Sequence, residues 1–232
     1  MLEHDPERSP RVILVLSADA GDGRSALIAD LALVQRDAGE RVAVVEADFR
    51  RPVQAKLLGV PSPTGLGQVL TGALPLDDAM QRVASVNAGV SVDAAVPGAE
   101  VATAVQSPSQ GSISVLTSGE AVANPSALLA SRTMAGLLGS IAEDFDHVLI
   151  DAPPPLEVSD VMPLLHSVDG IVIVARLGHT RETSAQRLAE LLRRTSSAPV
   201  LGVVANHVPR ADIERYGYSS TPGRKRRRRN AG

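Results

Sequence analysis

The chain has no cysteine and no tryptophan, and aromatic side chains make up only 2% of its 232 residues. Missing thiols exclude a disulfide framework, a cysteine nucleophile and a thiolate-bound metal. The scarcity of aromatics removes any platform for base stacking, so no specific nucleic-acid partner is expected. It also requires an aliphatic core of Val, Leu, Ile and Ala. Long apolar runs are missing too: none approaches the ~18 residues of a membrane-spanning helix. The stretch from Met1 to Arg11 is polar and acidic, unlike a signal peptide. The expected location is the cytoplasm. What remains is 44% hydrophobic and 21% charged, the balance of a globular domain with a sizeable core. A net charge of -3 conceals an asymmetry, because Arg224, Lys225, Arg226, Arg227, Arg228 and Arg229 are all basic and the body before them is acidic.

Apolar, β-branched runs alternate with segments of helical periodicity, the pattern of a parallel sheet covered on both faces. Strands are expected at Val12 to Ser17, Val42 to Ala47, Ile113 to Thr117, Val148 to Asp151, Ile171 to Ala175 and Val200 to Ala205. Helices fit Ser25 to Ala38, Pro125 to Glu143, Asp160 to His166 and Arg181 to Arg194. The order predicts an α/β fold with a doubly wound, mainly parallel sheet in three layers. Residues 1–10 form a polar lead and 11–208 the domain. Residues 83–111, rich in Ala, Val, Ser and Gly, break the rhythm and are expected to be a flexible insertion, with room for a strand near Val90 to Val92. Residues 209–232 are expected to form a disordered tail.

The strongest local signal follows the first strand: Ala18, Asp19, Ala20, Gly21, Asp22, Gly23, Arg24, Ser25, Ala26, then a helix. Glycines permit positive φ, so successive N–H groups can converge on a phosphate at the helix start, where the helix dipole also favours an anion. Ala20 to Ala26 are the candidate cofactor-binding residues, and Ser25 stands where a phosphate-loop hydroxyl meets Mg²⁺. The same letters also read as Gly21-x-Gly23-x-x-Ala26, a dinucleotide fingerprint with Glu46 as the distant acid. Gly21 lies five residues beyond Leu16, and that spacing suits a phosphate-wrapping loop better than a dinucleotide turn. Glu46 and Asp48, at i and i+2, share one side of an extended chain. Asp151 ends the strand Val148-Leu149-Ile150 and precedes Ala152-Pro153-Pro154. With Ser25, these three acids make a plausible Mg²⁺-nucleotide site.

With these motifs in hand, the chain from Val12 to Asn206 resembles the bacterial tyrosine autokinases of capsule and exopolysaccharide biosynthesis. Those P-loop kinases combine a phosphate loop, an Asp-x-Asp-x-Arg motif and a strand ending Asp-x-Pro-Pro. Gly65-Leu66-Gly67, Asn124 to Ser131, Val158-Ser159-Asp160 and Gly202 to Asn206 are further family-like segments. The resemblance implies ATP and Mg²⁺ as cofactors, with Asp151 organising the metal. It gives Glu46 and Asp48 metal contact and acceptance of the tyrosine proton, places Arg24 at the phosphates, and makes Asn206 an adenine contact or a polar strand cap. It also implies autophosphorylation, for which Tyr216 and Tyr218 are the chain's only tyrosines. The implied partner is a membrane polysaccharide co-polymerase or export protein. Anionic membrane contact through Arg224 to Arg229 and a homo-oligomer are further expectations. The sequence departs from the family in four ways. Arg24 replaces the loop lysine, Glu46 replaces an aspartate, no helix has room before Val12, and the tyrosine cluster is short. A non-catalytic nucleotide-binding regulator therefore stays open beside the kinase. Related partition ATPases carry an extra loop lysine where this chain has Asp19.

Overall fold

Neighbouring residues of the first strand point to opposite sides of one sheet. In β1 (Val12–Ser17), Val12, Leu14 and Leu16 join one apolar core while Ile13 and Val15 join another. This period of two, with both faces apolar, marks a strand covered on each side. It repeats in β2 (Arg41–Glu46) and β5 (His147–Asp151), whose interior residues divide between the same two cores. The computed structural model describes residues 10–84, 111–209 and Asp212. Much of 83–111, together with Tyr216, Tyr218 and the basic block, lies outside the described residues.

Among the described residues seven strands run in the order β3-β4-β2-β5-β1-β6-β7, where β3 is Gln81–Arg82, β4 is Ser112–Leu116, β6 is Gly170–Arg176 and β7 is Val200–Asn206. All pairings are parallel except β3 with β4. The chain leaves β1 toward β2 on one side and later returns to pair β6 on the other. The carboxyl end of β1 is thus the crevice where open α/β sheets bind ligands. One face is covered by α1 (Arg24–Asp37) and α2 (Gln54–Leu58). The other is covered by α3 (Leu66–Leu70), α5 (Pro125–Leu129), α6 (Arg132–Asp144), a 3-10 segment Ser159–His166 and α7 (Glu182–Thr195). The arrangement is the expected three-layer, doubly wound, P-loop NTPase type of fold.

Three details differ from the sequence expectation. The helix expected over Pro125 to Glu143 is two helices, because Asn124 caps α5 and the Ser131 hydroxyl accepts the Met134 N–H to start α6. The segment expected as a helix from Asp160 is 3-10, with Pro163 inside it. Short helices α2, α3 and α4 (Leu76–Ala79) and the two-residue β3 arise where no periodicity long enough to read exists. Among the described residues no helix is long and apolar enough to cross a membrane.

Candidate nucleotide site

The loop between β1 and α1 is shaped by two glycines in the left-handed region, Gly21 at φ 86° and Gly23 at φ 91°. Gly23 is also the cap of α1, and a Cβ there would overlap the Asn206 side-chain amide. Asn206 explains that closeness: at the end of β7 it donates from Nδ2 to the Asp22 carbonyl, 2.9 Å, while its Oδ1 accepts the His207 N–H, 2.8 Å. Its amide therefore holds the loop. Asp22 is buried, and its carboxylate turns to the β6–α7 connection, accepting from Thr180 Oγ1 at 2.7 Å and meeting His179 Nδ1 at 3.1 Å. The Asp19 carboxylate accepts the Ser184 hydroxyl and the Arg181 N–H. The loop is tied from outside by the far end of the chain.

Inside the loop lies a cleft of about 420 Å³, lined by Ala20 to Ala26, Asp48, Arg50, Arg51 and Glu157 among others. One loop N–H already faces an anionic oxygen. The Ala20 N–H donates to Glu157 Oε1 across the cleft, 3.2 Å, and Arg51 approaches the other Glu157 oxygen at 3.6 Å. The guanidinium of Arg50 pairs with Asp160 at 2.7 Å.

The acids separate into two kinds. Glu46 is fully buried, and its two oxygens accept the backbone N–H groups of Val53 at 2.5 Å, Gln54 at 2.6 Å and Ser118 at 3.1 Å. It caps the start of α2 and fastens it to the loop that follows β4. Burial pushes its carboxyl above the usual glutamate range, more strongly than the three N–H groups hold it down. It does not line the cleft. Asp48 and Asp151 do converge, and what they converge on is Arg24. Arg24 Nε donates to Asp151 Oδ1 at 2.7 Å, its Nη2 to Asp48 Oδ2 at 3.2 Å and its Nη1 to Ser17 Oγ at 3.4 Å. The guanidinium is buried among these three acceptors, at the wall of the cleft. Gln54 completes the cluster by donating from Nε2 to Asp151 Oδ2, 2.8 Å, and to the Ser25 carbonyl, 3.0 Å.

Of the residues singled out in the sequence, Arg24, Ser25 and Asp48 line this cleft and Asp151 reaches it through Arg24, while Glu46 lies apart. Sequence reasoning missed Ser17, Gln54 and Glu157, which carry no motif. Arg50 and Asp160 were visible only as letters within family-like segments.

A family model described as ParA, NUBPL iron-transfer P-loop NTPase, matches residues 8–211. The chain belongs to this ParA family of P-loop NTPases. Within it, the similarity to bacterial tyrosine kinases that the motifs suggested is present in the comparisons. The chain is 28% identical over 215 residues to the tyrosine-protein kinase YwqD of Bacillus subtilis, covering 93% of this chain and 80% of that one. Against the tyrosine-protein kinase etk of Escherichia coli K12 it is 26% identical over 214 residues, 91% of this chain but only 26% of that protein. It therefore spans most of one relative and about a quarter of the other. Among solved structures, the chimerical protein CapA2B2 superposes with a TM-score of 0.72 at 26% identity, over 88% of this chain and 79% of that one. The cell division ATPase MinD of Pyrococcus furiosus, at 21% identity and a TM-score of 0.63 over 89% of this chain and 78% of that one, shares the fold.

P-loop NTPases bind nucleotide, typically with Mg²⁺, and the residues here divide on that pairing. The loop has the two left-handed glycines and the helix start that suit a phosphate. The acids as arranged do not fit a divalent ion, because Arg24 and other N–H donors point at their oxygens, and no group of three or more His, Cys, Asp or Glu is gathered as a metal cage among the described residues.

Proposed function

We propose that this chain is an ATP-binding regulator built on the protein-tyrosine kinase scaffold, with weakened autokinase activity, acting in surface-polysaccharide synthesis or export. The observation that carries the nucleotide reading is the Ala20 N–H held against a Glu157 carboxylate oxygen, an anionic acceptor on a glycine loop at the start of a 14-residue helix. A phosphate oxygen would be received by the same N–H. The dinucleotide alternative loses support because Glu46, the acid it needs for a ribose, is spent on three backbone N–H groups. An iron-transfer role, the activity for which the matching family is named, would have to do without thiolate ligands, since the chain has no cysteine.

Regulation in preference to efficient phosphotransfer is supported by Arg24. A residue that should neutralise the phosphates in the transition state is instead spent on Asp48 and Asp151. The partner we propose is a membrane protein of the export system, reached with help from the basic block Arg224 to Arg229. Titration with ATP, ADP and NAD, followed by phosphotyrosine detection after incubation with ATP, tests the reading. ATP or ADP binding without NAD binding, and weak or absent phosphate on Tyr216 and Tyr218, is the expected result. Tight NAD binding would overturn it, and vigorous phosphorylation of either tyrosine would restore the full kinase.

A further inference from the structure

Asp48 and Asp151 end up together because β2 and β5 are neighbours in the sheet, with Glu46 and Asp151 in register. Of their four carboxylate oxygens, none is left without a donor. Asp48 Oδ1 accepts the N–H groups of Arg50 and Arg51, and Oδ2 accepts Arg24. Asp151 Oδ1 accepts Arg24, and Oδ2 accepts Gln54. The three charged side chains are deeply buried, at 9% exposure for Arg24, 6% for Asp48 and 1% for Asp151. Mg²⁺ needs oxygen lone pairs in near-octahedral array and gives up its water reluctantly. An ion entering here would have to expel a guanidinium that binds two carboxylates and a hydroxyl at once. Arginine suits that post better than lysine, since its planar fork reaches several acceptors in fixed directions and never loses its proton.

We propose that the Arg24 guanidinium is the resident cation of this site: it occupies the seat between Asp48 and Asp151 that a divalent ion would take, so ATP binding by this chain gains nothing from Mg²⁺. The polyphosphate is then met by the loop N–H groups and by Arg50 and Arg51 at the cleft wall. The second part rests on the nucleotide reading above; the first does not.

The test has two arms on the full chain. In the first, Mn²⁺ is titrated without nucleotide and the free ion is followed by electron paramagnetic resonance. The unaltered protein is expected to bind no Mn²⁺ at the acids. Arg24→Ala is expected to gain a site at least about tenfold tighter than any in the unaltered chain, lost again in Arg24→Ala combined with Asp151→Asn. Thermal unfolding checks folding, and Mg²⁺ is expected to raise the midpoint of Arg24→Ala alone. Where Arg24→Ala does not fold, Arg24→Gln, which keeps much of the volume and removes the charge, takes its place. Mn²⁺ binding by the unaltered chain that Asp48→Asn removes would overturn the proposal, as would a failure of both Arg24 variants to gain a site. In the second arm, ATP affinity is compared in Mg²⁺ and in EDTA. Values within about twofold are expected for the unaltered chain, and a tightening by Mg²⁺ of about tenfold or more overturns metal independence. If ATP binds in neither buffer, the nucleotide reading fails while the Mn²⁺ arm still decides who holds the seat.

Discussion

Strands β2 and β5 carry an arginine–aspartate pairing at each end, and the two ends behave differently. At the amino end Arg41 reaches Asp146 at 2.9 Å with its side chain 52% exposed, a pin between the start of one strand and the turn into the next. At the carboxyl end Arg24 joins Asp48 and Asp151 out of water. Water screens the first pair, so it contributes little and its loss is cheap. The second pair has surrendered hydration, so its members depend on one another. Similar chemistry is a clip at one end and the organising centre of a site at the other.

The sharpest way to break this contrast is to remove each arginine in turn. Arg24→Ala strands two buried carboxylates and is expected to cost about 3–5 kcal/mol in urea unfolding. Arg41→Ala, which removes a pair screened by water, should lower the urea midpoint far less. Equal losses would mean that burial is not what separates the ends.

A second comparison uses glycines. Gly23 and Gly39 both have positive φ, 91° and 98°, but a Cβ at Gly39 meets nothing within 4 Å. Gly39→Ala should carry only the left-handed penalty of about 1–2 kcal/mol. Gly23→Ala adds the displacement of Asn206, and should lose more stability and weaken ATP binding.

Glu46 sharpens the carboxyl end further. Its folded-state pKa is raised by burial, so the stability it contributes is present below the ordinary value of 4.5 and lost as pH rises through the raised one. Glu46→Gln removes that slope. It also turns an amide donor toward backbone N–H groups, at an expected cost of about 1–3 kcal/mol by denaturant titration near neutral pH. The smallest effect belongs to Asp146. Its carboxyl is lowered to about 2 by the Arg41 side chain and backbone N–H. Its stabilisation is therefore present above the ordinary value of 3.8 and fades as pH falls toward about 2. Asp146→Asn should flatten only that acid limb of a thermal-unfolding pH series.

The fold was legible because its core strands are apolar on both faces and its long helices have room for periodicity. Reading failed where a single side chain decides. Ser131 splits one expected helix into α5 and α6 through a hydroxyl cap, which sequence spacing alone does not reveal. For the candidate site, the letters foretold that Arg24, Asp48 and Asp151 would lie near one another, and not which way each side chain turns. Asp48 and Asp151 sit at strand ends, where register brings them together, yet the letters cannot say whether Arg24 points out to a phosphate or in to carboxylates. Glu46 looked like a partner of Asp48 by its i, i+2 spacing, but the N–H groups of Val53, Gln54 and Ser118 claimed it.

The ties that hold the loop carry a consequence for how the protein is made. Asn206 grips the Asp22 carbonyl across 184 residues of chain, Thr180 grips the Asp22 carboxylate across 158, and Glu157 meets Ala20 across 137. Contacts so distant in sequence form late, after intervening strands have found their places in the sheet. During synthesis the loop emerges well before β7, but its shape must wait for that strand, which supplies Asn206. A truncated product ending at α6 would carry all the letters of the phosphate motif and none of these three ties.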